Sequence, residues 1–155
     1  MPDGAGGVRV VIGQTLYARA VLIDTGALVA LLRRDDLHHD DDVVCLNAIA
    51  ANGLPLIVTL PTVYESYSRL LFDVGPRSAD SMLDQVFGRD INLIRTRDPD
   101  EAEARRLIAR YADLRLTLVD AVNMAVMTRL SIATCFSHDR HYLQAGFIRI
   151  PPFHL

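Results

Sequence analysis

The stretch AVLIDTGALVALLRR, residues 20–34, decides the fold. Four apolar residues, Ala20 to Ile23, run straight into Asp24. A Thr-Gly pair then turns the chain into a second apolar run. A short unbroken apolar run of this kind reads as a buried strand, and the periodic stretch from about 26 to 33 reads as a helix. The carboxylate therefore stands at the end of a buried strand, where an ionised group costs free energy unless something compensates it.

Working outward, helices and strands alternate. The spacing predicts a strand over 16–23 and, beyond the helix at 26–33, a charge-dense connector DDLHHDDDV. A helix follows at about 42–51 and stops at Asn52-Gly53, a C-cap signal. LPLIVTL, 54–60, is of buried-strand type. Helices are predicted over 62–73 and 77–87, and INLIR, 91–95, as a strand. DPDEAEARRLIARYAD is an amphipathic helix with Pro99 in its first turn, acids early and arginines late, as the helix dipole favours. A helix over 119–130, a strand IATCFS at 132–137, a short helix at 139–144 and a last strand FIRI complete the pattern. Residues 1–15 read as an N-terminal extension or as part of a hairpin, VRVVI-GQ-TLYARA. Strands separated by helices imply a mostly parallel sheet covered on both faces, a three-layer α/β/α sandwich. In such sheets ligands gather outside the carboxyl ends of the strands, which is where Asp24 stands.

Composition bounds the rest. The 155 residues suit a single domain spanning 1–155, and half of them are hydrophobic. No apolar stretch reaches the roughly 18 residues of a membrane span, and the start lacks the apolar core of a signal peptide, so a soluble cytoplasmic protein is expected. Cys45 and Cys135 lie in apolar surroundings without metal-ligand spacing and read as core thiols. The net charge of -3 is no polyanion-binding signature. All sixteen basic residues are arginine, which reads as compositional bias rather than phosphate recognition.

Four acids stand beside apolar runs: Asp24, Glu65 in PTVYESYSRLL, Asp120 at the opening of LVDAVNMAVM, and Asp139 in SHDRHY. Each has a local explanation. Asp24, Asp120 and Asp139 could cap helices, and Thr62 with Glu65 matches a capping box. Together they say more. Four carboxylates meeting at one sheet edge would repel one another and raise each other's pKa, and a divalent cation removes that penalty. Hard oxygen ligands suit Mg²⁺ or Mn²⁺.

In order and spacing, LIDTGALVALL, TLPTVYESYSRLL, LRLTLVDAVNMAVM and ATCFSHDRHYLQAG resemble the PIN-domain family of metal-dependent ribonucleases, especially the VapC-type toxins of toxin–antitoxin pairs. The resemblance covers about residues 18–150, and LVDAVNMA with SHDRHY is its most specific part. It implies a PIN-like α/β/α fold with Asp24, Glu65, Asp120 and Asp139 as metal-binding acids. Thr25 and Ser137 match the family's hydroxyl positions, with Ser137 standing where Thr is usual. The segment before the first strand is longer than in the smallest members, and the acidic connector is unusual.

The resemblance implies cleavage of RNA phosphodiester bonds, an antitoxin partner covering the acidic site, and a homodimer. The alternative reading is a PIN-fold binding or regulatory module without catalysis. A phosphatase-like enzyme is disfavoured because Asp24 is followed by Thr-Gly rather than by a second acid two residues on. Asn123, on the Asp120 face of its helix, is a supporting candidate beside Thr25 and Ser137, although a polar residue near a helix start needs no such role. Arg33, Arg34, Arg69 and Arg140 are candidate phosphate contacts against a default of solvated surface. The His-Asp run at 38–42 is expected to be a solvated connector, and His138 and His141 to serve surface or packing roles.

Overall fold

The computed structural model describes residues 19–88 and 91–152. The proposed N-terminal hairpin falls mostly outside them. The elements are β1 (Val21–Ile23), α1 (Thr25–Leu32), α2 (His39–Ala51), β2 (Leu56–Thr59), α3 (Leu60–Asp73), α4 (Pro76–Phe87) and β3 (Asn92–Ile94). They continue with α5 (Asp98–Arg110), a 3₁₀ turn (Ala112–Leu114), α6 (Leu118–Leu130), β4 (Thr134–Phe136), α7 (His141–Gln144) and β5 (Ile148–Ile150). The five strands form one all-parallel sheet in the order β3-β2-β1-β4-β5.

Strand periodicity divides the core. Val21 and Ile23 of β1, Val58 of β2 and Phe136 of β4 face one way and pack with residues of α1 to α4: Leu28, Ile49, Leu70 and Met82. Leu22, Ile57 and Cys135 face the other way, onto Met124 and Met127 of α6 and Tyr142 of α7. A second seam, Ala104 against Ala121, Val122 and Val126, joins α5 to α6. The helices therefore cover both faces, and this makes the three layers. The inner strands β1, β2 and β4 are largely buried on both faces, which is why their sequences read as near-continuous apolar runs.

Local chemistry sets the ends. Thr59 is the N-cap of α3, and Pro61 lies in the first turn, where its missing N–H costs nothing. This corrects the capping box expected at Thr62 and Glu65: the helix starts earlier, and Glu65 lies beyond its first turn. The prediction missed that boundary because LPLIVTL is apolar through Leu60, and hydropathy does not mark where extended backbone ends. A true capping box opens α6. Thr117 Oγ1 accepts from the Asp120 N–H at 3.1 Å, and Asp120 Oδ2 accepts from the Thr117 N–H at 3.3 Å. After α2 the chain leaves through Asn52 and Gly53, the latter in the left-handed region at φ 61° that glycine tolerates without strain. Cys135 is buried, Cys45 is partly buried, and both are free thiols. Among the described residues, no helix is long and apolar enough to cross a membrane.

The expected solvated connector is also corrected. Helix α2 begins at His39, so the acids of the His-Asp run occupy its first turn, where the dipole favours them. Asp42 is fully buried, and its Oδ2 lies 2.7 Å from His138 Nε2. His38 stacks on the His138 ring with centroids 3.9 Å apart. His39 Nδ1 is bonded to the Ala30 carbonyl oxygen. Only the pairing of α2 with the β4–α7 loop, 96 residues away, makes this run internal. Adjacent residues of a helix diverge, so no sequence spacing announced it.

Candidate metal centre

The sheet order reverses at β1: the chain moves outward through β2 and β3, then returns to the other side of β1 for β4 and β5. The crevice at such a reversal lies at the carboxyl ends of β1 and β4. Ile23 is in register with Phe136, so the next residues, Asp24 and Ser137, emerge side by side. The Asp24 N–H donates to the Phe136 carbonyl at 3.0 Å, and Ser137 Oγ donates to Asp24 Oδ2 at 3.0 Å. Asp24 occupies the N-cap position of α1, but its side chain makes no capping bond. It is turned instead into the crevice.

Helix α6 supplies the opposite wall. Asn123 is fully buried, with Nδ2 within 3.3 Å of Asp24 Oδ1, Thr62 Oγ1 and the Tyr142 hydroxyl. Its Oδ1 accepts from Thr59 Oγ1 at 2.5 Å. Asn123 thus ties β1, β2, α3 and α7 together at Asp24, far more than a polar residue near a helix start does. Asp120 lies one turn earlier, with Oδ2 3.8 Å from His141 Nδ1. Asp139 approaches from the β4–α7 loop: its N–H donates to Ser137 Oγ, and its Oδ1 lies 3.2 Å from His141 Nδ1. Single ligand atoms of Asp120, Asp139 and His141 all lie within 4.8 Å of one another. Glu65 reaches in from α3, where Oε2 accepts from Thr25 Oγ1 at 2.6 Å.

Ser137 and Asn123 both bond to Asp24, Ser137 Oγ also takes the Asp139 N–H, and Asp139 and Asp120 meet across His141 Nδ1; Glu65 stands further out, where it meets Thr25, the residue after Asp24. The arginines are less concentrated. Arg33 pairs with Asp35 at 3.0 Å. Arg34 lines a hollow with His39 and Arg77. Arg69 is exposed four residues beyond Glu65, on the same helical face. Arg140 is exposed between Asp139 and His141. Thr59 and Tyr142 went unrecognised in sequence, Thr62 reads there only as a helix cap, and His141 is expected there in a surface or packing role. The two threonines bracket the TLPT turn and could have been sought as hydroxyls facing a strand-end acid. Tyr142 reads as an ordinary core aromatic.

The electrostatics are strained. Burial, and then the neighbouring Asp120 charge, push the Asp24 carboxyl up to about 6, with Asp139 adding to the rise. Burial also raises Asp120, against the hydrogen bond from Thr117, and the Asp139 charge raises it further. His141 Nδ1 is buried without a hydrogen-bond partner. Buried carboxylates that discourage each other's ionisation, beside an orphaned imidazole nitrogen, are a donor set that fits a divalent cation.

The comparisons agree with this fold. The sequence model of the PIN domain matches residues 21–148. Ribonuclease VapC26 of Mycobacterium tuberculosis is 25% identical over 125 residues, covering 81% of this chain and 90% of that protein. Among solved structures, M. tuberculosis VapC20, described as a sarcin-ricin loop cleaving toxin, superposes with a TM-score of 0.77 at 21% identity, over 86% of this chain and all of that one. The FitAcB structure from Neisseria gonorrhoeae gives 0.64 at 17% identity, covering 87% of this chain and 99% of that one. VapBC2 from Rickettsia felis, bound to promoter DNA, gives 0.62 at 14% identity, covering 84% and 96%. The sheet order, the strand-end acids and a family match spanning most of the chain lead to one statement: this chain belongs to the PIN-domain family.

Proposed function

We propose that the protein is a Mg²⁺- or Mn²⁺-dependent endoribonuclease, acting in the cytoplasm as the toxin of a toxin–antitoxin pair. The observation that carries this reading is the meeting of Asp120 and Asp139 within 4.8 Å, with Asp24 tied to them through the Ser137 hydroxyl, at the sheet reversal of a PIN domain; Glu65, bonded to Thr25, supports it from α3. Family membership and a curated relative named as a VapC ribonuclease support the substrate class.

Asp24, Asp120 and Asp139 would hold the cation, with Glu65 as an additional ligand or water-orienting group. When bound, the ion neutralises phosphate charge, activates water and stabilises the leaving oxygen. The protein's own part is positioning. Ser137 and Asn123 direct the two Asp24 oxygens, Thr117 fixes Asp120, and the Ser137 hydroxyl anchors the backbone of Asp139. The Thr25 hydroxyl turns the Glu65 carboxylate toward the end of β1. These bonds spend the torsional freedom of the acids during folding, before substrate arrives. Arg69 and Arg140, both exposed, would be the contacts to phosphates flanking the cleaved bond.

An antitoxin would cover the acids with a basic side chain, and two copies of the chain form the working toxin. Large apolar side chains stand exposed at Leu37, Tyr64 and Phe72, material for such protein contacts. The test is a nuclease assay on structured and single-stranded RNA with Mg²⁺ or Mn²⁺, comparing wild type with Asp24→Asn and Asp120→Asn. Metal-dependent cleavage by wild type, lost in both variants, is expected. Equal cleavage by all three proteins overturns the assignment.

A further inference from the structure

The Asp139-Arg140-His141 turn has a feature that the four-acid scheme does not use. The His141 N–H donates to Asp139 Oδ1 at 2.8 Å, which folds the backbone so that the imidazole returns over the carboxylate. Nδ1 then faces Asp139 Oδ1 at 3.2 Å and Asp120 Oδ2 at 3.8 Å. The shorter distance would permit a hydrogen bond, yet the nitrogen lacks the alignment for one and is buried without a partner. A ring N–H placed there would meet the two acids by charge attraction alone, without an aligned hydrogen bond. A ring lone pair placed there would face two acids, an arrangement that a cation between them makes favourable.

We propose that His141 is a nitrogen ligand of the metal centre through Nδ1, sharing one ion with Asp120 and Asp139; this rests on the metal-centre reading above. The separations agree with that role. Ligand bonds of about 2.1 Å in octahedral geometry place adjacent donor atoms roughly 3.0 Å apart and opposite ones roughly 4.2 Å apart, and the two separations from Nδ1 lie between these limits. The Nε2–H tautomer leaves Nδ1 free to bind. The chemical consequence is selectivity. Mg²⁺ prefers oxygen donors and is indifferent to imidazole, whereas Mn²⁺ and later divalent ions gain from it. A centre with His141 in the shell binds Mn²⁺ in preference to Mg²⁺ more strongly than an all-carboxylate centre does.

The test uses Mn²⁺ alone as the probe. Electron spin-echo modulation of Mn²⁺ bound to the wild-type chain should show directly bonded nitrogen, and the signal should vanish in His141→Asn, whose amide keeps an oxygen near the Nδ1 position. Calorimetric titration should show the ratio of Mn²⁺ to Mg²⁺ affinity falling about tenfold in the variant. Thermal unfolding in EDTA checks that His141→Asn is folded, and His141→Gln serves as the second variant if it is not. Tight Mn²⁺ binding with oxygen donors only overturns the nitrogen ligand while leaving the carboxylate centre intact. A nitrogen signal that survives in the variants overturns the assignment to His141. Failure of the wild-type chain to bind Mn²⁺ at all overturns this inference together with the metal-centre reading.

Discussion

Replacing Asp24 with Asn should stabilise the metal-free protein while abolishing cleavage. Burial and the Asp120 charge raise the Asp24 carboxyl from 3.8 to about 6. At about 1.36 kcal/mol per tenfold change, holding this side chain ionised at neutral pH costs the folded state roughly 3 kcal/mol. The sign follows from proton linkage. Between pH 3.8 and 6 the folded state binds more protons at this site than the unfolded chain does, so stability falls as pH rises through that window. Below it both states are protonated and the cost disappears. Asn has almost the same shape and no charge. It must point its NH₂ group at either Ser137 or Asn123, both of which donate to Asp24, and losing one such bond costs about 1 kcal/mol. The net gain is about 1–2 kcal/mol above pH 7, a rise of several degrees in Tm for a chain of this size. Denaturant unfolding of wild type and Asp24→Asn in EDTA, from pH 4.5 to 8, measures it. The variant's advantage should grow with pH through the window and should shrink or reverse when Mg²⁺ saturates the wild type, because a bound cation removes the repulsion that Asn avoids. A variant less stable than wild type by the same amount at every pH would refute the account of Asp24 as a destabilising charge.

Further expectations can be checked directly. Mg²⁺ affinity should fall as pH drops through about 6, because binding must displace the proton that the raised Asp24 carboxyl retains; calorimetry at pH 5.5 and 7.5 measures this. Mg²⁺ at about 100 times its Kd should raise wild-type unfolding stability by about 2.7 kcal/mol and leave Asp24→Asn nearly unmoved. Asp42→Ala deprives the His138 ring of its partner and should cost about 2–4 kcal/mol, whereas Asp42→Asn keeps an acceptor and should cost less; thermal melts separate the two. Asp100 is buried and bound by Arg129 at 2.6 and 2.9 Å, and it also accepts from the Arg97 N–H. Asp100→Ala should cost about 3 kcal/mol, while the cleavage rate per folded molecule stays unchanged, as an activity assay corrected for folded fraction would show.

Sequence by itself determined the layer architecture of this protein. Buried parallel strands require near-continuous apolar runs, and amphipathic helices require a period near 3.6, so VLI, LIVT and TCF separate cleanly from the helices between them. It also placed Asp24 directly after a strand and Asp139 in the loop after another, because a carboxylate following such a run emerges at the sheet edge. Tertiary structure decided how those positions meet. The β1–β4 register sets Ser137 beside Asp24 across 113 residues, and α6 brings Asn123 to the same carboxylate across 99. It turned Asp42 from a connector acid into a buried partner of His138 and aimed the Nδ1 of His141 at two carboxylates. Hydropathy and helix period report which face of its own element a residue occupies. Packing between elements distant in the chain sets which partner that face meets, and one residue's spacing from its neighbours carries no record of it.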